Sequence, residues 1–291
     1  MLTATDVAQG RAHCERALAL YDAAEHRALA ARFGQDVRVT NLAYRSLALW
    51  VMGYPEAALA DLDQAISDAR DTGQAATLMF ALGHAPLALL WSGNYVATAT
   101  VIEEVIALSD EKGAFLWNVA GRLNQGWLFA LTNKAADAVQ MFNSSMAAWR
   151  AIGSKLWMPN YLSYLASAYA EIGQLNDARR CIDEAMMAVE TTKEVLWEAE
   201  IHRIAGEIAR KSEADALKCE EYFEHALSVA RTQQAKSWEL RAAMSMARLW
   251  RDKGKVQQAR ELLATVYGWF TEGFNTRDLK EAKALLEELA V

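Results

Sequence analysis

Arg241, Arg248 and Arg251 lie 7 and 3 residues apart, so one helix would carry all three on one face. Three guanidinium groups in that arrangement could grip carboxylates in bidentate fashion, as an acidic peptide or a free C-terminus would require. The competing reading is internal pairing with Glu200 and Glu207 of the preceding repeat. Tryptophan offers a second chemistry, stacking on bases or sugars. Four of the ten tryptophans (Trp117, Trp157, Trp197 and Trp238) recur in steps of 40, 40 and 41 residues, a register that favours packing between repeats. His13, His26, His84, His202 and His225 are dispersed, and His26 and His202 read as structural. Neither H-E-x-x-H nor a Cys-x-x-Cys pair offers a metal site. Glu103-Glu104 and Glu220-Glu221 read as solvated pairs on outer helices. There is no phosphate loop and no G-x-G-x-x-G; GKVQQAR (254–260) reads as a turn before a helix. No catalytic residue, metal or cofactor is therefore expected.

The elements that would hold these side chains announce themselves as a repeat. Gly53, Gly93, Asn133, Gly173 and Gly254 form one column, with Ala214 as the odd member. Ala58, Thr98, Ala138, Ala178, Cys219 and Ala259 form a small-residue column. Leu62, Ile102, Phe142, Ile182, Phe223 and Leu263 form a large apolar column with steps of 40, 40, 40, 41 and 40. Each unit reads as helix, turn, helix. The glycine column ends the first helix, where positive φ is needed. The small column lets the second helix approach, and the large residue one turn later fills the space between them. A second turn is marked by Gly73, Gly113 and Gly153. Neither helix of a unit can bury its apolar face alone, so the units must stack.

Composition agrees. The chain has 291 residues, 53% of them apolar, three prolines and a net charge of -7. That favours a mostly helical globular chain over disorder and argues against a nucleic-acid binder, which carries a basic face. No membrane span and no secretory signal are expected, and the widely spaced Cys14, Cys181 and Cys219 suit reduced thiols in the cytoplasm.

The run Leu162, Leu165, Ala166, Tyr169, Gly173, Ala178, Ile182, Ala185 resembles the tetratricopeptide (TPR) pattern, and Ala243, Met246, Ala247, Trp250, Gly254, Ala259, Leu263 follows it. Arg45, Pro86 and Gln125 depart from it in the first three units. The segments YDAAEHRALAARFGQD (21–36), NLAYRSLALWVMGYPEAAL (41–59), QQAKSWELRAAMSMARLWRDKGK (233–255) and YGWFTEGFNTRDLKEAKALLEEL (267–289) resemble the C-terminal arm of bacterial proteins that join a class III adenylate/guanylate cyclase domain to an AAA-like ATPase domain. The resemblance implies a regulatory arm whose partner is an upstream cyclase/ATPase domain, a second copy, or another protein or peptide.

The expected fold is all-α: a right-handed superhelical solenoid of about six TPR-like helix pairs with a ~40-residue period. The expected division of the single solenoid, 1–291, is N-terminal helices at 1–34, repeats at 35–72, 73–112, 113–152, 153–192, 193–233 and 234–270, and a capping helix at 271–291. First helices would line a concave groove that runs from apolar (Trp50, Trp91, Trp127) through polar (Asn160) to charged (Arg203, Arg241, Arg248, Arg251). The groove would take a peptide or protein; alternatively its apolar half would enclose a small-molecule effector. Segment 4–21 reads as a second helix lacking its first, which predicts an apolar patch near Val7, Ala8 and Ala12, exposed or covered by another copy.

Overall fold

The computed structural model describes residues 6–212 and 218–290; Ala214 of the glycine column lies outside them. The chain opens with α1 (Val7–Ala19) and two short turns, α2 (Ala23–His26) and α3 (Ala30–Phe33). Six pairs follow: α4 (Val37–Val51) with α5 (Pro55–Thr72), α6 (Ala75–Ser92) with α7 (Tyr95–Lys112), and α8 (Phe115–Leu131) with α9 (Ala135–Ala151). Then come α10 (Met158–Glu171) with α11 (Leu175–Thr192), α12 (Glu198–Arg210) with α13 (Lys218–Thr232), and α14 (Lys236–Asp252) with α15 (Val256–Tyr267). A last helix, α16 (Arg277–Glu288), ends the array, and no strand occurs among the described residues. The protein is an all-α solenoid of stacked pairs.

The columns explain the stacking. Every member of the small column is buried, and so is every member of the large apolar column. Gly53, Gly93, Gly173 and Gly254 all have positive φ, and Asn133 takes the same conformation at φ 59°. The turns between pairs repeat this at Gly73, Gly113 and Gly153, but Lys193 (φ 61°) and Gln234 (φ 53°) hold it without glycine. Each of those two costs about 1 kcal/mol, which the packing around it must offset. Trp157, at φ 60°, opens α10, and its N–H donates to the buried Glu194 carboxylate at 2.9 Å. Burial pushes the Glu194 carboxyl up to about 7, against the lowering effect of that N–H.

α6 bears on the expectation of no membrane span. Its 18 residues are long and apolar enough to cross a membrane, by length and composition. In the fold, 83% of that window is buried, between α4, α5, α7 and α8.

First helices follow one another around the inside of the array, and the array returns on itself. α14 packs against α4, and α16 against α6. Ser237, at the start of α14, donates to the Trp50 carbonyl at the end of α4 (2.5 Å). At the N-terminus, α1 lies on α4 and buries Val7, Gly10 and Cys14. Only part of the expected apolar patch is open: Ala12 is exposed, but Val7 is buried and shares a small cavity with Val195, Leu196 and Gln233. At the other end α16 buries Leu279, Ala282, Leu285 and Leu289 beneath a charged outer face. Thr276 sits at its N-cap position, but the hydroxyl donates to the Gly273 carbonyl.

Candidate functional site: the closed inner face

The inner face was expected to be an open groove. It is filled by its own side chains. Trp50 near the end of α4, Trp91 of α6, Trp127 of α8, Trp197 just before α12 and Trp238 of α14 are all buried and meet in one cluster. Trp91 is its centre, with ring centroids 4.7 Å from Trp50, 5.3 Å from Trp238, 5.6 Å from Trp197 and 6.1 Å from Trp127. Tyr164 of α10 extends the cluster, 4.8 Å from Trp127. Because each inner helix brings a ring to the same level, the rings fill the space that curvature would otherwise leave along the axis. The indole Nε1 donors of Trp91, Trp127, Trp197 and Trp238 have no acceptor among the described residues. Buried donors are normally paired, so four in one cluster stand out.

Arg241 of α14 caps the cluster. Its guanidinium carbon lies 5.0 Å from the Trp50 ring centroid and 5.1 Å from that of Trp238. The same group donates to Asp278 of α16 (2.5 Å), Glu200 of α12 (3.2 Å) and the Trp91 carbonyl of α6 (3.1 Å). Glu200 also accepts from Arg203 at 2.7 and 2.9 Å and from the Tyr164 hydroxyl at 3.2 Å. Arg277 closes the set, donating to Asp278 at 2.9 Å and to the Tyr95 hydroxyl at 2.6 Å. Burial pushes the Glu200 carboxyl up, but Arg203 and Arg241 outweigh it and hold it below its usual value. Burial likewise pushes Asp278 up, and Arg241 and Arg277 outweigh it. Arg241 itself is pushed down by burial and held above its ordinary value by Asp278 and Glu200.

These contacts correct the groove expectation residue by residue. Trp50, Trp91, Trp127, Asn160 and Arg241 are buried, so none offers a surface to a partner in this state. The physical reason is closure: once α14 returns to α4, residues facing the axis face each other. Arg203 is half-buried against Glu200. Arg248 and Arg251 lie further along α14, toward the rim, paired with Glu281 at 3.2 Å and with Glu288 at 2.7 Å. All three arginines of the α14 face are therefore neutralised internally, chiefly by acids of α16 and only in part by Glu200. Glu207 instead meets Arg203, Arg210 and Ser245.

Sequence reasoning missed Asp278, Arg277 and Tyr164. An arginine on an inner face needs a buried acid, which Glu200 of α12 supplies in part; nothing in the repeat pattern singles out Asp278 of α16 as the second. Trp197 and Trp238 were placed at packing positions between repeats; they also reach the axis.

His84 of α6 is a second buried polar group. Its ring stacks on Phe80 at 4.0 Å and lies edge-on to Trp157 at 4.9 Å and Tyr44 at 5.2 Å, with Trp117 at 6.0 Å. Nδ1 meets the Phe80 carbonyl at 2.8 Å, while Nε2 has no partner. Among the described residues no charged group shifts its titration. Burial pushes its pKa down from 6.5 to about 4. Between those values the unfolded chain takes up a proton that the folded chain refuses. Stability present above pH 6.5 is therefore lost as pH falls toward 4, by up to ~3 kcal/mol. His202, pushed down to about 4 by burial and by His225, acts in the same direction. Glu194, pushed up from 4.5 to about 7, gains stability as pH falls through the same window and offsets part of the loss, so the two histidines leave a net fall in the urea midpoint that His84→Leu should flatten. An unchanged slope in that variant would remove His84 from the account.

Lys134, Glu103 and the exposed Val96 rim an outer groove of about 570 Å³ between α7 and α8. No tryptophan of the cluster lines it. Among the described residues no group of three or more His, Cys, Asp or Glu side chains could hold a metal ion.

No protein-family model matches the chain, and no curated protein matches it. Among solved structures 36 chains match. One is the crystal structure of the apo form of RapI, at 12% identity and a TM-score of 0.59, with 97% of this chain and 92% of that chain covered. At that identity the likeness shows the fold alone: an all-α solenoid of stacked helix pairs over nearly the full length of both chains.

Proposed function

We propose that the chain is a non-catalytic protein-interaction module of tetratricopeptide type, serving as the regulatory arm of a cytoplasmic bacterial signalling protein related to the cyclase–ATPase regulators. The observation that carries this reading is the inner face. Five tryptophans and an arginine converge there from successive repeats, and four indole donors have no acceptor among the described residues. Packing alone would be served better by leucine, which leaves no donor unpaired. A polypeptide supplies backbone carbonyls for such donors and apolar side chains for the rings, and repeat solenoids present extended inner surfaces of this kind. The RapI likeness supports the scaffold on which this reading depends.

A second reading has the same observation behind it. A small effector rich in acceptors could satisfy the indole donors, making the apolar half a sensor. The rings are in mutual contact, so either occupant, polypeptide or effector, would have to part them.

A thermal-shift series with two panels, peptides and metabolites, separates the readings. A ligand bound only by the folded state adds ~2.7 kcal/mol at a hundredfold excess over its Kd, read as a higher melting temperature. The interaction reading expects shifts from peptides and co-elution with a separately produced cyclase–ATPase region. Shifts from metabolites alone would replace it with the sensor reading.

A further inference from the structure

We infer that the solenoid is a gated ring, closed by a latch between its C-terminal segment and its first two pairs, and that release of this latch is the route to the aromatic interior. The inference deepens the interaction-module reading and rests on it for its purpose, though not for its test.

The latch joins residues about two hundred positions apart in the chain. Glu272 accepts from the backbone N–H groups of Glu56 and Ala57, at 3.0 Å each, in the first turn of α5. Glu56 returns the exchange by accepting from the Gly273 N–H at 2.9 Å. A short distance along the seam, Arg277 donates to the Tyr95 hydroxyl at 2.6 Å, at the first turn of α7. The two carboxylate contacts are at least partly solvent-accessible, unlike the interlocked apolar columns that hold one pair to the next. The seam also buries Ser237 against the Trp50 carbonyl and Trp238 against Trp50 and Trp91, but α14 meets α4, and α16 meets α6, over far fewer residues than successive helices of the wall share. Openings of a folded protein begin where buried apolar contacts are few.

The glycine column supports the same division. A Cβ on Gly53 would lie 2.5 Å from the Trp269 ring and 2.9 Å from the Lys236 Cβ. A Cβ on Gly93 would lie 2.6 Å from the Arg277 Cβ. Gly173 and Gly254 hold the same left-handed conformation with nothing within 4 Å of that position. The glycines at the seam thus admit a second layer of chain, while their counterparts elsewhere serve only the turn. The closed state in turn strands four indole donors that opening would release to water or to a partner.

The column supplies its own control. Gly93→Ala and Gly173→Ala carry the same backbone strain, but only Gly93→Ala drives a methyl into the seam. Glu272→Ala removes the latch acceptor without steric change, and Glu272→Gln keeps one. The experiment is amide hydrogen exchange on the full chain, without any partner, comparing the Glu56, Ala57 and Gly273 amides with those of α8 to α10. In the unsubstituted protein the seam amides should exchange at least about tenfold faster than the reference helices. Gly93→Ala and Glu272→Ala should each raise exchange in the seam and along α4 and α14 by about tenfold or more, the loss expected from charge-assisted hydrogen bonds. Gly173→Ala should leave the seam unchanged, and Glu272→Gln should restore most of the protection. If the seam amides exchange only with the reference helices, or if Gly93→Ala and Gly173→Ala behave alike, the gate does not exist. Because no partner is present, that result leaves the interaction reading standing; failure to bind any peptide would leave the gate standing.

Discussion

Replacing Arg241 by methionine is expected to destabilise the protein by about 3–5 kcal/mol, the usual cost of breaking a buried ion pair from one side. Methionine keeps much of the apolar stem and the contact with the tryptophan rings, so the loss reports the charge. Arg241 is 5% exposed, and it joins α14 to α6, α12 and α16 at once. Its removal leaves Asp278 with Arg277 and Glu200 with Arg203, and it leaves the Trp91 carbonyl without its guanidinium donor. Those remaining partners place the expected loss toward the lower end of the range. Combining Arg241→Met with Asp278→Asn should recover part of the loss, because the second change removes the acid left behind. A deficit below about 1 kcal/mol in urea unfolding would mean that the ring closes without this arginine, and that its position over Trp50 and Trp238 is incidental.

Phe223→Ala is expected to cost about 3–5 kcal/mol. Phe223 is fully buried in α13, and a Cβ on Gly206 of α12 would lie 2.4 Å from its ring. The helices meet so closely there that neighbouring groups cannot collapse into the space left by the ring. Phe223 belongs to a cluster made by α12 to α16 and the loop before α16, separate from the one containing Phe142. Each pair packs mainly on its neighbours and the closing seam is narrow, so the damage should stay local at first, and the C-terminal cluster should unfold ahead of the rest and lower the apparent m-value. Phe142→Ala should cost a similar amount from within the larger cluster. An unfolding curve left unchanged by Phe223→Ala would contradict the helix register derived from the columns.

Much of the fold was legible because a repeat states each local rule several times. The small and large columns each name positions where two helices must touch. The positive-φ positions follow from glycine wherever glycine is present. Lys193 and Gln234 carry no such mark; their conformation is imposed by the helices on either side. Closure was not legible, because it is the sum of small rotations between successive pairs. No local pattern tells Ser237 that it will meet the Trp50 carbonyl. The inner-face residues were therefore identified as facing the axis, but whether the axis is open or filled depends on curvature that the columns do not encode. The same blind spot hid Asp278, whose position on a capping helix gave no hint that it would lie beside Arg241 over the tryptophan cluster.

The most direct test of the closed, tryptophan-filled interior is solvent exchange at the indole Nε1–H groups, followed by NMR on protein carrying nitrogen-15 tryptophan and assigned by single Trp→Phe substitutions. The closed ring requires that the Trp91, Trp127, Trp197 and Trp238 indole protons exchange far more slowly than that of Trp269, which is partly exposed at the seam. Exchange of those four protons as rapid as that of Trp269 would show water on the inner face, and the protein would then be an open groove, contrary to this account.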